Sequence, residues 1–116
     1  MKDYHNLFVA LALQQCRKED YADKSKVKAN NAAMTKLRKL RSEIQRNGKE
    51  EVLSTLLNHE DDRVQLSAAS ACLDLNVYVE QAILALKRIR KTSDDPTFCF
   101  SAKMLLKQHG DDSVVF

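Results

Sequence analysis

Two glycines and one proline in 116 residues exclude most β-rich folds for this chain. Hairpins and meanders call on Gly, Pro, Asn and Asp repeatedly, because tight turns need a positive φ, a preset φ or a side chain that bonds its own backbone. What fills the chain instead is Ala, Leu, Lys, Arg, Glu and Gln, which lose little conformational freedom on entering a helix. An all-α fold follows. The length is that of one domain, residues 1–116, large enough to bury roughly two-thirds of the surface its unfolded form exposes.

Hydrophobic spacing divides the chain into six helices. Asp3 is placed to cap a first helix from about Tyr4 to Lys18, with Leu7, Phe8, Leu11 and Ala12 at helical spacing. A polar break from Arg17 to Asp23 leads into the longest helix, about Lys24 to Asn47, which Gly48 ends as a left-handed C-terminal residue. Its inner face reads Asn30, Ala33, Leu37, Leu40 and Ile44, so Asn30 is expected as a structural polar residue tied to a neighbouring segment. A third helix covers about Lys49 to Asn58. After the turn His59–Asp62, Asp61 or Asp62 caps a fourth, running to about Leu75, with Asp62 counted as structural. The fifth spans about Val77 to Lys91. Pro96 opens the sixth, which places Phe98, Ala102 and Leu105 on one face and ends at Gly110, with 111–116 as a loose tail.

Short connections make these helices three antiparallel hairpins. An internal echo supports the grouping: Val64-x-Leu66-Ser67-Ala68 recurs as Phe98-x-Phe100-Ser101-Ala102, 34 residues later. The stretch Asp62-Arg63-Val64-Gln65-Leu66-Ser67-Ala68-Ala69, followed by Leu73, resembles the signature of a HEAT repeat. The Asp caps the second helix of the hairpin and the alanines allow close helix approach. Gln65 stands where that signature has an arginine, so the family's turn-bridging ion pair is expected to be missing. From about Asp20 to Gly110 the chain is similar to bacterial single-domain HEAT-like proteins of unknown function. The quoted residues are Asn30, Leu56-Leu57, Val64, Ala68-Ala69, Gln81-Ala82, Ala102 and Leu105. That resemblance implies an α-α superhelix. It also implies, through members that look like toxin-immunity proteins, a protein partner.

Charge is the feature that composition alone does not explain. The net charge is only +3, yet the long helix gathers Lys24, Lys26, Lys28, Lys36, Arg38, Lys39, Arg41 and Arg46 against Glu43. Such a helix is either a solvated face or a surface for an acidic protein or for phosphates. In a stack of hairpins the second helices line one surface. The expected partner-binding residues are therefore Lys28, Lys36, Lys39 and Arg46, joined by Gln65 on the fourth helix and Lys103 and Lys107 on the sixth. Nucleic acid ranks behind protein as partner. The three tyrosines and four phenylalanines fall mostly at core spacings, not between the basic residues where bases would stack. Lys87, Arg88, Arg90 and Lys91 close the fifth helix, where the helix dipole favours cations.

No catalytic or cofactor pattern emerges. His59 with Glu60, Asp61 and Asp62 lacks metal-ligand spacing, no Ser-His-acid or Cys-His set is suggested, and two isolated glycines build no phosphate loop. Cys16, Cys72 and Cys99 are odd in number and scattered, in keeping with buried free thiols in a reducing compartment. Leu7 to Leu13 resembles an export-signal core, but no small-residue cleavage site follows it, and Gln14-Gln15 precede Cys16 where a lipid anchor needs small residues. No stretch approaches the ~20 apolar residues that span a bilayer. The expectation is a bacterial cytoplasmic, non-catalytic protein-interaction domain without cofactor or metal, plausible as an immunity protein. A weak nucleic-acid-binding domain using the basic helix is the alternative.

Overall fold

The computed structural model describes residues 3–109. It is all-α: α1 (Tyr4–Ala12), a short 3-10 helix (Lys18–Ala22), α2 (Lys24–Arg46), α3 (Glu51–Leu56), α4 (Asp62–Leu75), α5 (Val79–Thr92) and α6 (Pro96–Gln108), with no strand among the described residues. The expected stop at Gly110 and the tail 111–116 lie outside them.

Aspartates set four of the starts. Asp3, Asp23, Asp61 and Asp95 each accept a backbone N–H of the first turn, from Asn6 (3.1 Å), Ser25 (2.9 Å), Arg63 (2.8 Å) and Thr97 (2.9 Å) respectively. The stops of α2 and α4 share one device. Past α2, the Lys49 N–H reaches Ile44 O (2.9 Å) across Gly48 at φ +66. Past α4, the Val77 N–H reaches Cys72 O (2.9 Å) across Asn76 at φ 57. Tyr78, at φ 47, is a second left-handed residue in the same turn. That is why α5 begins at Val79 and not at the expected Val77. The ends of α3 tighten into three-residue turns, Val52 N–H to Lys49 O and His59 N–H to Leu56 O (both 3.1 Å), so its α-helical part is shorter than the apolar run suggested.

The largest departure from expectation is at α1, which ends at Ala12 and not near Lys18. Residues 13–18 are claimed by tertiary hydrogen bonds. Gln15 Nε2 donates to Arg63 O (2.9 Å) and Ser67 Oγ (2.5 Å), while Arg63 Nη1 donates back to Leu13 O (2.9 Å). Cys16 N–H donates to Asn30 Oδ1 (2.9 Å), and Lys18 N–H to Asp95 Oδ2 (2.8 Å). Arg17 donates to Asp62 (3.1 Å) and lies over the Phe98 ring, 5.4 Å from its centroid. The segment is thereby laid across the N-terminal ends of α4 and α6. The polar stretch that read as a break forms the 3-10 helix, with Asp20 accepting the Arg17 N–H (2.9 Å).

Neighbouring helices pack in sequence: α1 on α2, α3 on α4, α4 on α5 and α5 on α6, with α1 also touching α3 and α4. One core results. It takes Phe8 from α1, Leu37 and Ile44 from α2, Leu53 and Leu56 from α3, Val64 and Cys72 from α4, Leu86 from α5 and Leu106 from α6. On α6 the buried stripe is Phe98, Ala102 and Leu106, so Leu105 is shifted toward the surface from its expected place. Asn30 accepts the Cys16 N–H, and Asp62, the first residue of α4 where Asp61 is the cap, accepts from Arg17 and from Ser93 Oγ (2.7 Å). Burial pushes the Cys72 thiol up to about 11, the Arg41 charge opposing only weakly, so Cys72 stays a protonated core side chain.

Candidate functional site

The surface where α2, α4 and α6 meet holds two contiguous depressions, of about 320 and 280 Å³. Met34 and Arg41 line them from α2, seven residues and thus two turns apart. From α4 come Leu66, Ser67, Ser70 and Asp74, and from α6 Phe100, Ser101, Met104 and Gln108. The α4 and α6 sets correspond position by position at the 34-residue offset already visible in the sequence. The echo is therefore a shared lining as well as a shared core: Val64 and Phe98 point inward, whereas Ser67 and Ser101 look into the groove.

Phe100 is the outstanding residue of the apolar half, 63% exposed at the start of α6. Arg41 belongs to both depressions, as do Ser70, Leu105 and Gln108. Its Nη2 donates to Ser70 Oγ (3.2 Å), while its Nε is buried with no hydrogen-bond partner. Among the described residues no carboxylate comes within ion-pair distance of it. Burial lowers its pKa, the charge of Asp74 partly offsets that and the like charge of Arg38 adds to it; a guanidinium nonetheless remains charged. Arg41 thus leaves the solvated basic face to which its sequence neighbours assigned it. Its spacing held the clue: it follows Leu40 directly and Leu37 by one turn, on the flank of the buried stripe.

The other sequence-nominated residues do not converge on the groove. At about 100° per residue, Lys28, Lys39 and Arg46 fall on one exposed stripe of α2, turned away from Ala33, Leu37, Leu40 and Ile44. Lys36 shares the stripe of Glu43, whose carboxylate accepts from Tyr4 Oη (3.4 Å), and so lies on the α1 flank. Lys26 is paired with Asp20 (3.1 Å). Lys107 is exposed on the stripe of Phe100, at the groove's outer edge, and Lys103 is half-buried outside the groove lining. Gln65 lies on the opposite side of α4: its Nε2 donates to His59 O, and its Oε1 accepts from Arg88 (3.1 Å). It bridges the turn as a neutral residue. Ion pairs at that turn are supplied instead by Arg63 to Asp61 (2.9 Å) and Arg17 to Asp62 (3.1 Å), so the turn is not without one.

That opposite side carries a third depression, of about 370 Å³, bordered by Arg17, Asp61, Asp62, Gln65, Arg88 and Ser93. Within it Arg17 and Ser93 Oγ both donate to Asp62, and Arg88 donates to Gln65. Burial pushes the Asp61 carboxyl up, but hydrogen bonds from the Arg63 side chain and backbone, with the charges of Arg63 and Arg17, outweigh it and hold it below the usual range. Among the described residues no group of three or more His, Cys, Asp or Glu could hold a metal ion. No helix there is long and apolar enough to cross a membrane.

A family model described as a domain of unknown function (DUF2019) matches residues 2–109, and the chain belongs to that family. No curated protein and no solved structure matches it.

Proposed function

We propose, from membership of that family and the groove on its surface, that this chain is a non-catalytic protein-interaction domain of HEAT-like architecture, and that it acts in the bacterial cytoplasm as the immunity protein of a cognate toxin. The observation that carries the reading is Phe100, 63% exposed beside Met34 and Met104 in a groove framed by three helices. Aromatic and methionine side chains concentrate at the cores of protein interfaces: the ring offers a large rigid contact and the thioethers adapt to what meets them. Successive packing of hairpin-like neighbours supports the repeat architecture, and the resemblance to immunity-type domains supports a toxin as partner. The exposed stripe Lys28, Lys39 and Arg46 supports an acidic one.

The test is affinity capture from a lysate of the native host, with and without nuclease treatment, using the wild-type chain and Phe100→Asp in parallel. One stoichiometric protein retained by the wild type and lost by Phe100→Asp is the expected result. Equal retention by both places the interface elsewhere. Nucleic acid as the sole ligand, recovered only without nuclease, would transfer the reading to the basic stripe of α2 as a weak phosphate-binding surface.

A further inference from the structure

We infer that the groove reads a carboxylate, with Arg41 as receptor for an aspartate or glutamate of the partner protein, carried beside a large apolar side chain that lies against Phe100 and Met34. This deepens the protein-binding reading of the same groove and rests on it.

A guanidinium offers five N–H donors in a planar fork suited to the two oxygens of a carboxylate. Here one nitrogen is satisfied by Ser70 Oγ at 3.2 Å, and the buried Nε has no acceptor. Native proteins rarely leave a buried charged donor so placed, so the Arg41 fork calls for a further acceptor. The position of Arg41 defines what the acceptor is attached to. It stands where the apolar depression of Phe100, Met34 and Leu66 joins the polar one of Asp74, Gln108 and His109. A ligand that fills the first and pairs with Arg41 must be apolar and anionic at adjacent points.

Asp74 narrows the choice further. It lines the polar depression without pairing to Arg41, and its charge is felt there. A carboxylate entering from the Phe100 side meets the guanidinium before that charge. Along α4 the lining from Leu66 to Asp74 spans about 12 Å, room for two turns of a bound helix or a short extended strand. Two side chains one turn apart on a partner helix, one apolar and one acidic, fit that reach.

The minimal probe is 3-phenylpropionate, titrated into the full chain while the Arg41 Nε–H and the methyl groups of Met34 and Met104 are followed by NMR; 3-phenylpropanamide is the uncharged control. Saturable shifts at all three sites, with the amide at least tenfold weaker, are expected. Arg41→Gln should abolish the preference for the acid. Arg41→Lys keeps the charge and most of the stem, so a folded Arg41→Lys chain that binds the acid at least tenfold more weakly separates loss of the fork from loss of the fold. Equal affinity for acid and amide, with only the methionine methyls responding, overturns the inference while leaving the groove an apolar protein-binding surface. No response at the groove at saturating probe also overturns it, and the Phe100→Asp capture then decides the protein-binding reading by itself.

Discussion

Asp95 shows how much one side chain does in this molecule. It is buried, caps α6 through the Thr97 N–H (2.9 Å) and hydroxyl (2.5 Å), and with its other oxygen holds the Lys18 N–H, 77 residues away in sequence. Burial pushes its carboxyl up, but the Thr97 and Lys18 hydrogen bonds and the charge of Arg17 outweigh that and hold it below the usual aspartate range. A folded-state value below the unfolded one means the ionised carboxylate stabilises fully above the ordinary aspartate range, and the contribution is lost as pH falls through the folded value. Asp95→Ala should therefore cost about 2 kcal/mol at neutral pH, and the gap from wild type should narrow in acid. Urea denaturation at pH 7 and pH 3 measures both; a gap that does not change with pH would show that the carboxylate's charge is irrelevant. From sequence Asp95 is visible only as part of a turn, because its decisive partner is a backbone N–H at the far end of the chain. Asp62 carries the hairpin signature as the capping Asp, yet the cap is Asp61, one residue earlier, and Asp62 turns instead to Arg17 and Ser93.

At the scale of elements, α2 was legible almost entirely. Asp23, Gly48 and the stripe Ala33, Leu37, Leu40 and Ile44 are local signals, and the structure uses each of them. The end of α1 was not, because Leu13 and Cys16 continue its apolar rhythm while tertiary bonds draw residues 13–18 off the helix. Asn30 is the hinge of that difference: its Oδ1 takes the Cys16 N–H at 2.9 Å, fixing where the chain leaves α1 relative to α2. Asn30→Ala leaves this amide without its acceptor and should destabilise by about 1–3 kcal/mol. Hydrogen exchange should localise the effect, with the Cys16 amide accelerated ahead of amides in α5 and α6. Uniform acceleration across all helices would mean that Asn30 supports the whole core and not one junction.

For the whole molecule, charge and groove lie on different surfaces. The composition of α2 exposed its basic character but not that Arg41 turns inward while Lys28, Lys39 and Arg46 face out, since that depends on which flank α4 and α6 cover. If the outer stripe steers an acidic partner without touching it, changing Lys28, Lys39 and Arg46 together to Glu should slow association several-fold at low salt, leaving dissociation and melting temperature nearly unchanged. Stopped-flow binding to the captured partner at two ionic strengths checks this, and a change confined to the dissociation rate would put the stripe inside the interface.

Along α6, Phe100 and Met104 alternate with Phe98, Ala102 and Leu106, and only the second group is buried. Scaffold and lining are thus written in separate letters of the same helix. Descendants of one ancestral chain can keep the first text and rewrite the second, drifting to unrelated ligands with no loss of fold. Positions 34, 41, 100 and 104 can therefore change the groove's lining without touching the buried stripe of α6.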